Sequence, residues 1–496
     1  MGGAGDKIGL DGFVAAALGF GYFGLYLLTL CRTVFWYDSA EYVTAAVTLG
    51  IPHPPGYPLY TILGHLFTRL PIDPALAVNA MSATFAAVAV ALTYLVCRRL
   101  GIGRAASGVG AATLGGGKLF WANAVVAEVY CPALAVVALV LYLLLRSRDE
   151  QNFRLTALAA LIAGLGLGIH LSIATLGLGL VLLVWAYGTP VERPKDLERL
   201  FSREGLQPRA RRSLAAAMMA FVGSLVFLYL PLRAAADPPL NFGDPSNPER
   251  FWWVISGGTY KGWFRDDLDL FARAIAIAEA FNEQLLFVGS VLAIVGVIWL
   301  WRRRPLECIA LVSMAAGNVG FFFRYQVHDL AVFFLPTTLI ACCFVAAGAQ
   351  SLRDGVARAV TEERAPALRK LTIAALMGFA GALAMGNYRD VDMSRFKETD
   401  QFIAALVSGL PEGAIILNYT TPPEWKLDAV FGMYVQKVLK LRTDVDVVIA
   451  VDPRVAPSAL QSRRPVYAYA PVAQLARRFE LVPEGPLFRV LGPRIQ

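Results

Sequence analysis

The sequence predicts a polytopic α-helical membrane protein of about eleven transmembrane helices, followed by a small C-terminal α/β domain. Three observations carry that prediction. Of 496 residues, 57% are hydrophobic and only 17% charged, too apolar a balance for a soluble globule. Runs of roughly twenty apolar residues recur along the chain, each long enough to cross a bilayer. Basic residues also alternate between loops, about 21 in one set and about 8 in the other, an asymmetry that marks the cytoplasmic side. The net charge of +8 is therefore read by position, and no nucleic-acid partner is expected.

The expected spans are 12–31, 76–97, 105–120, 131–145, 155–169, 172–187, 214–231, 284–301, 306–322, 331–349 and 371–386, with 155–187 open to a broken hairpin. Lys7 is a lone basic charge before the first span, and no small-residue cleavage site follows it, so that span is expected to stay. The basic loops hold Arg98/Arg99/Arg104, Arg146/Arg148/Arg154, residues 193–212, Arg302/Arg303/Arg304 and residues 353–370. The outer set holds Asp38–Pro74, Trp121–Tyr130, His170, Leu232–Glu283 and Arg324–Asp329. Residues 1–386 thus form a transmembrane domain with long outer loops at 32–75 and 232–283. Residues 387–496 form an outer domain, with strands at Ala414–Leu417, Val445–Val451 and Val466–Tyr469 and a helix at Trp425–Leu441. The six cysteines lie in or beside apolar segments without a CxxC pair, as packing residues do.

The polar motifs all fall on the outer side. Asp38 and Glu41 stand three apart, which puts both carboxylates on one helix face at the mouth of the bundle. Carboxylates there are costly unless they bind something or move protons. The alternative is a capping box, with Asp38 at the N-cap and Glu41 three later. A cap leaves His53 and the Pro52–Pro58 run unexplained. That run cannot be helical, so two short interfacial helices are expected on either side of it. Three chemistries could use such a mouth. One is transfer of a sugar from a lipid-phosphate donor, with a carboxylate taking the acceptor proton. Another is transport or flipping of lipid-linked glycans, which favours charges at mid-bilayer. The last is a structural or receptor role for the long loops. The sidedness favours transfer.

Several stretches resemble the protein O-mannosyltransferase family of bacterial and animal membrane proteins. They are Asp38-Ser39-Ala40-Glu41, Leu49–Tyr60 (LGIPHPPGYPLY), Trp121–Tyr130 (WANAVVAEVY), Leu240–Pro245 (LNFGDP) and Tyr325–Pro336 (YQVHDLAVFFLP). Gly413–Asn418 and Leu441–Val445 fit in the soluble part. Ala40, Phe242 and Thr443 depart from the family's Gly, Trp and Pro. The resemblance implies a C-type membrane glycosyltransferase fold in a bacterial inner membrane, with the site and C-terminal domain facing the periplasm or exterior. It implies a polyprenyl- or dolichyl-phosphate-linked donor, with mannose as the sugar, and a protein or glycan hydroxyl as acceptor.

Under that resemblance Asp38 is the general base and Glu41 the second candidate. His53 and His170 are candidates for the donor phosphate or sugar, His53 alternatively stabilising its turn. Arg324 is the first phosphate candidate because its planar fork suits a phosphate, with Lys261, Arg265 and His328 behind it. Glu128, Tyr57, Asn241 and Asp244 are candidates for sugar or acceptor contacts; an interfacial belt accounts equally for Tyr57, and a turn for Asn241 and Asp244. Asp38, Glu41 and Glu128 are oxygen ligands of the kind Mg or Mn accepts, but their spacing is no ligand signature. No obligatory metal or other cofactor is expected, and a divalent ion stays open.

Overall fold

The computed structural model describes residues 5–202, 205–327, 329–419, 429–450, 459–468 and 473–493. The chain begins with α1 (Gly5–Leu28), then two short helices, α2 (Ser39–Thr48) and α3 (Pro58–Phe67), flank the proline run. Asp73 caps α4 (Pro74–Arg99) by accepting from the backbone N–H groups of Ala75 and Leu76. There follow α5 (Arg104–Gly116), α6 (Lys118–Ala124), α7 (Tyr130–Glu150), α8 (Phe153–Leu167), α9 (Gly177–Trp185), α10 (Leu206–Ser224), α11 (Tyr229–Ala234) and α12 (Pro248–Ile255). The long helices α13 (Leu270–Arg303), α14 (Pro305–Phe322), α15 (Leu335–Arg358) and α16 (Ala365–Val391) complete the bundle.

Eight described helices are long and apolar enough to cross a membrane, and two apolar helices, Phe153–Leu167 and Leu171–Trp185, are shorter. The eleven expected spans therefore all fall on helices, but not on equal ones. Stretch 105–120 is the 13-residue α5, whose small residues are buried between α4, α15 and α16. Its hydropathy reflects burial among helices, not contact with lipid. Close crossings rest on glycine. A Cβ on Gly296 would lie 1.8 Å from the Phe344 carbonyl oxygen, and one on Gly348 2.0 Å from that of Leu292, so α13 and α15 touch backbone to backbone.

Helix α13 begins at Leu270, inside the stretch that hydropathy reads as loop. Asp269 starts it by accepting from Phe271 and Ala272 N–H, while Arg273, Glu279 and Glu283 lower the local hydropathy. Its course is interrupted at Leu286, which has φ 55° and ψ 171°. At the basic end of the bundle the loops knit together. Arg99 bonds Asp149 and Glu150, and Arg98 and Arg104 both reach Asp11.

The C-terminal part comprises α17 (Glu398–Gly409), β1 (Ile415–Tyr419), α18 (Ala429–Lys437), β2 (Asp446–Ala450), β3 (Val466–Ala468), β4 (Phe479–Glu484) and β5 (Leu487–Pro493). The strands form one mixed sheet in the order β2-β1-β3-β5-β4, parallel at β1 and antiparallel from β3 through β5 to β4. The β4–β5 hairpin is additional to the expected strands. Pro483 and Pro493 hide it in the sequence, yet both are tolerated because β4 is an edge and Pro493 ends β5. Asp452-Pro453, and Thr420 of the Asn418–Thr420 sequon, lie outside the described residues.

This part docks on the loop between α1 and α2. Thr33 Oγ1 donates to Asp400 (2.5 Å), Trp36 Nε1 to Glu398 (3.2 Å) and Thr399 Oγ1 to the Val34 carbonyl (2.6 Å). The Trp36 ring packs against Phe396, Phe402 and Phe431, and α18 lies on α2.

Candidate active site

The site forms because α2 and α3 fold back on each other. Leu49 leaves α2 in the left-handed region (φ 50°) and reverses the chain. Arg233 holds that end, donating from Nε to the Leu49 carbonyl (2.8 Å) and from Nη2 to that of Thr48 (3.3 Å), where a cation complements the helix C-terminus. Ile51 then pairs in parallel with Asn241 of the loop between α11 and α12: its N–H donates to Leu240, and its carbonyl accepts from Phe242. Gly56 at φ 86° makes the final bend, and its N–H donates to the His53 carbonyl (2.9 Å). Pro58 starts α3. His53 is thereby delivered onto α2.

Glu41 receives it with both oxygens. Oε1 accepts from the His53 backbone N–H at 2.8 Å, and Oε2 lies 2.5 Å from Nδ1. The other ring nitrogen, Nε2, is 2.9 Å from the Tyr57 hydroxyl and 3.9 Å from Asp38 Oδ2. The capping box is not formed: Asp38 occupies the N-cap of α2 with no side-chain cap bond. Side-chain burial divides the carboxylates, with Glu41 at 7% exposure and Asp38 at 44%. Burial alone would depress the His53 pKa, but the Glu41 and Asp38 carboxylates outweigh it and raise it to about 9. That direction favours the imidazolium, the form in which both ring nitrogens donate.

Aromatic rings surround the Glu41–His53 pair. Tyr57 stacks on His170, with ring centroids 6.1 Å apart and 22° between planes, and Tyr42 meets it edge-on. Burial raises the Tyr57 pKa well above its usual value. His170 Nδ1 accepts from the Ser172 N–H (3.2 Å) and lies 2.7 Å from Ser172 Oγ. Burial, then the His53 charge, lowers its pKa to about 3, so it is neutral where His53 is charged. Tyr130, at the end of WANAVVAEVY, packs on His170 at 5.2 Å; nothing in its sequence position distinguishes it from a belt residue. Partly buried Glu128 has a raised pKa, from burial first and then the charges of Asp38 and Asp329.

The remaining candidates occupy a rim. Phe264 and Tyr325 form an antiparallel bridge that brings Arg265 and Arg324 together. Arg324 is exposed and pairs with Asp266 at 2.6 Å. Arg265 pairs with Asp267, and Lys261 is exposed in the Gly258–Trp263 turn. Tyr260 connects this rim to the centre. Burial first, then the charges of Tyr57 and Asp38, raises its pKa. Asn241 Nδ2 lies 3.5 Å from Asp244, which also pairs with Arg250; Asn241 Oδ1 is buried without a protein partner. His328 lies outside the described residues.

Asp38, Glu41 and His53 offer one ligand atom each within 4.8 Å of one another, close enough for a metal ion. Ligation by His53 requires a deprotonated ring nitrogen, whereas Nδ1 is engaged by Glu41 and Nε2 by Tyr57. The described geometry is that of an ion pair.

Residues 38–192 match the family description "Protein O-mannosyl-transferase TMEM260 N-terminal domain". Over 420 residues the chain is 25% identical to Protein O-mannosyl-transferase TMEM260 of Mus musculus, covering 79% of this chain but 57% of the mouse protein. The chain thus spans little more than half the length of that relative. Among solved structures it is similar to ArnT from Cupriavidus metallidurans bound to undecaprenyl phosphate, with a TM-score of 0.60, 13% identity and 98% of both chains covered. The apo oligosaccharyltransferase of Archaeoglobus fulgidus gives a TM-score of 0.53 at 12% identity, over 88% of this chain and 64% of that one. Residues 38–192 thus resemble the TMEM260 protein O-mannosyl-transferase N-terminal domain, and the fold is similar to those of ArnT and the archaeal oligosaccharyltransferase.

Proposed function

We propose that the chain transfers a mannosyl group from a polyprenyl-phosphate donor to a protein or glycan hydroxyl, at the outer face of the membrane. The observation that carries this reading is the division of labour at α2: an accessible carboxylate, Asp38, beside a buried carboxylate–imidazolium pair, Glu41–His53. The names of the relatives supply the sugar and the acceptor class, and the undecaprenyl phosphate bound to ArnT supplies the donor class.

In the reaction, the acceptor oxygen bonds to C1 of the sugar as its proton passes to Asp38. The bond from C1 to the phosphate oxygen breaks, and the electron pair leaves with the lipid phosphate. A positioned base contributes about two to four orders of magnitude in rate. Glu128, Asn241 and Asp244 serve the sugar or acceptor, and the Arg324–Arg265–Lys261 rim faces the approaching substrate. Once protonated, the raised Glu128 carboxyl can donate to a sugar hydroxyl. No step needs a metal.

The test is incubation of the purified chain with radiolabelled polyprenyl-phosphate mannose and an acceptor protein. Consumption of the donor with labelling of the acceptor supports the reading. Movement of intact donor across vesicles without consumption would make the chain a transporter instead. Asp38→Asn should abolish transfer with donor binding retained, and near-normal turnover would pass the base role to another group.

A further inference from the structure

A departing lipid phosphate gains negative charge, so the site needs a cation held where that charge develops. The sequence offers Arg324, Arg265 and Lys261 first. In the fold, however, Arg324 and Arg265 are more than half exposed or close to it (56% and 50%), and each is spent on a neighbouring aspartate. Exposed pairs of this kind are screened by water and weakly held. His53 is the opposite case. It is 7% exposed at the side chain, its backbone and ring are both fixed by Glu41, and it stands 3.9 Å from Asp38.

We infer that Glu41 and His53 act as one unit, in which Glu41 is a positioning residue and His53 is a fixed cation that acts on the phosphate through the Tyr57 hydroxyl, the group that carries its hydrogen bond outward. The inference rests on the lipid-phosphate donor proposed above. Its logic is a proton map. With Nδ1–H donated to Glu41, Nε2–H must go to the Tyr57 hydroxyl oxygen. The phenol's own proton is then turned away from the imidazolium, either to Tyr42 or onward to a substrate oxygen. His170, stacked behind Tyr57, cannot compete, because its Nδ1 already accepts from Ser172. Glu41 is 7% exposed with both oxygens engaged by His53, whereas Asp38 is 44% exposed, so Asp38 is the better placed of the two carboxylates to act as a base.

The titratable groups around His53 are Glu41 and Tyr42 on α2, Asp38 before it, Tyr57 in the turn, Glu128 before α7 and His170 after α8. Replacing Glu41 by Gln keeps the shape but reverses one hydrogen bond. The amide oxygen can still accept from the His53 backbone, and the amide N–H₂ then donates to Nδ1, which leaves the imidazole neutral.

Three measurements on the full chain in detergent or nanodiscs decide the matter. The imidazole nitrogens are read by ¹⁵N NMR, with the His53 signal assigned by its loss in His53→Gln. Both nitrogens should carry protons in the parent at pH 7.5, and only one in Glu41→Gln. Binding of a short-chain polyprenyl monophosphate should weaken about tenfold or more in Glu41→Gln, His53→Gln and Tyr57→Phe. In the transfer assay, the alkaline limb near pH 9 should move to lower pH in Glu41→Gln, with activity recovering on acidification. Glu41→Gln is nearly isosteric, so it gives the answer even if His53→Gln does not fold. The inference is overturned by a singly protonated His53 in the parent, by unchanged lipid-phosphate binding in Glu41→Gln, or by a larger binding loss in Arg324→Ala than in His53→Gln. If the parent transfers no mannose but the NMR and binding results hold, the transferase reading fails and the phosphate site stands.

Discussion

Gly56→Ala is the sharpest mechanical test of how the site is built. Gly56 sits between His53 and Tyr57 at φ 86°, where an L-residue costs about 1–2 kcal/mol. A methyl there would lie 2.7 Å from Leu230 Cδ2, 3.2 Å from its Cδ1 and 3.5 Å from Val254 Cγ1. Leu230 and Val254 are completely buried, so neither can swing into solvent. Overpacking of this kind costs about 1–3 kcal/mol, which makes the total about 2–5 kcal/mol. The cheapest relief is displacement of the 53–57 turn away from α11 and α12, which lengthens the bond from Nε2 to Tyr57 and misaims His53. The variant should therefore lose at least tenfold in kcat along with several degrees of melting temperature. Leu230→Ala opens space beside the new methyl, although alone it leaves a cavity costing about 2–5 kcal/mol. The double variant should then be less damaged than the sum of the two single ones, because the sites share one contact. The assays are donor turnover and thermal unfolding on the purified chain. Full activity and an unchanged melting temperature in Gly56→Ala, or strict additivity in the pair, would refute this account of the turn.

The other predictions are briefer. If Arg324 contributes to donor capture at the rim, Arg324→Lys should raise the donor KM despite keeping the charge, because an ammonium lacks the planar fork; an unchanged KM with a lowered melting temperature would make its pair with Asp266 structural. Folding raises the His53 pKa from 6.5 to about 9, so its stabilising contribution is complete below pH 6.5 and is lost as the pH rises through about 9. The melting temperature should accordingly fall from pH 7 to pH 10 by more in the parent than in His53→Gln, and equal slopes would contradict the buried ion pair. For sidedness, a cysteine at exposed Ser462 should be labelled by an impermeant reagent from the outer face; labelling from the cytoplasmic face alone would reverse the orientation.

The fold was legible where physics acts locally. Apolar runs located the helices because lipid and helical packing both select apolar residues, and for the same reason hydropathy could not tell buried α5 from a span. Residues 270–283 of α13 escape a hydropathy reading because Arg273, Glu279 and Glu283 resemble a loop, and the local sign of the helix is the cap at Asp269. At the site, the i, i+3 spacing brought Asp38 and Glu41 to one short helix, but spacing says nothing of partners. Glu41 meets His53 only because Leu49 and Gly56 reverse the chain and Arg233 and Leu240 hold the reversal. Those contacts cross about 180 residues of sequence, and no local pattern encodes them. The Asp266 partner of Arg324 was hidden likewise, by a bridge between two loops.

The attachment of the C-terminal part to the loop between α1 and α2 has a consequence for how the protein is made. Thr33, Val34 and Trp36, on the threshold of Asp38, obtain partners at Asp400, Thr399 and Glu398, more than 360 residues later. Translation threads the whole bundle into the membrane before those partners exist. The loop carrying Asp38 is therefore among the first segments delivered to its side of the bilayer and among the last to reach its final shape. During that interval the Trp36 ring lacks Phe396, Phe402 and Phe431, and the α2 surface lacks α18. A chain cut before Phe396 therefore lacks the partners that hold Thr33, Val34 and Trp36 beside Asp38.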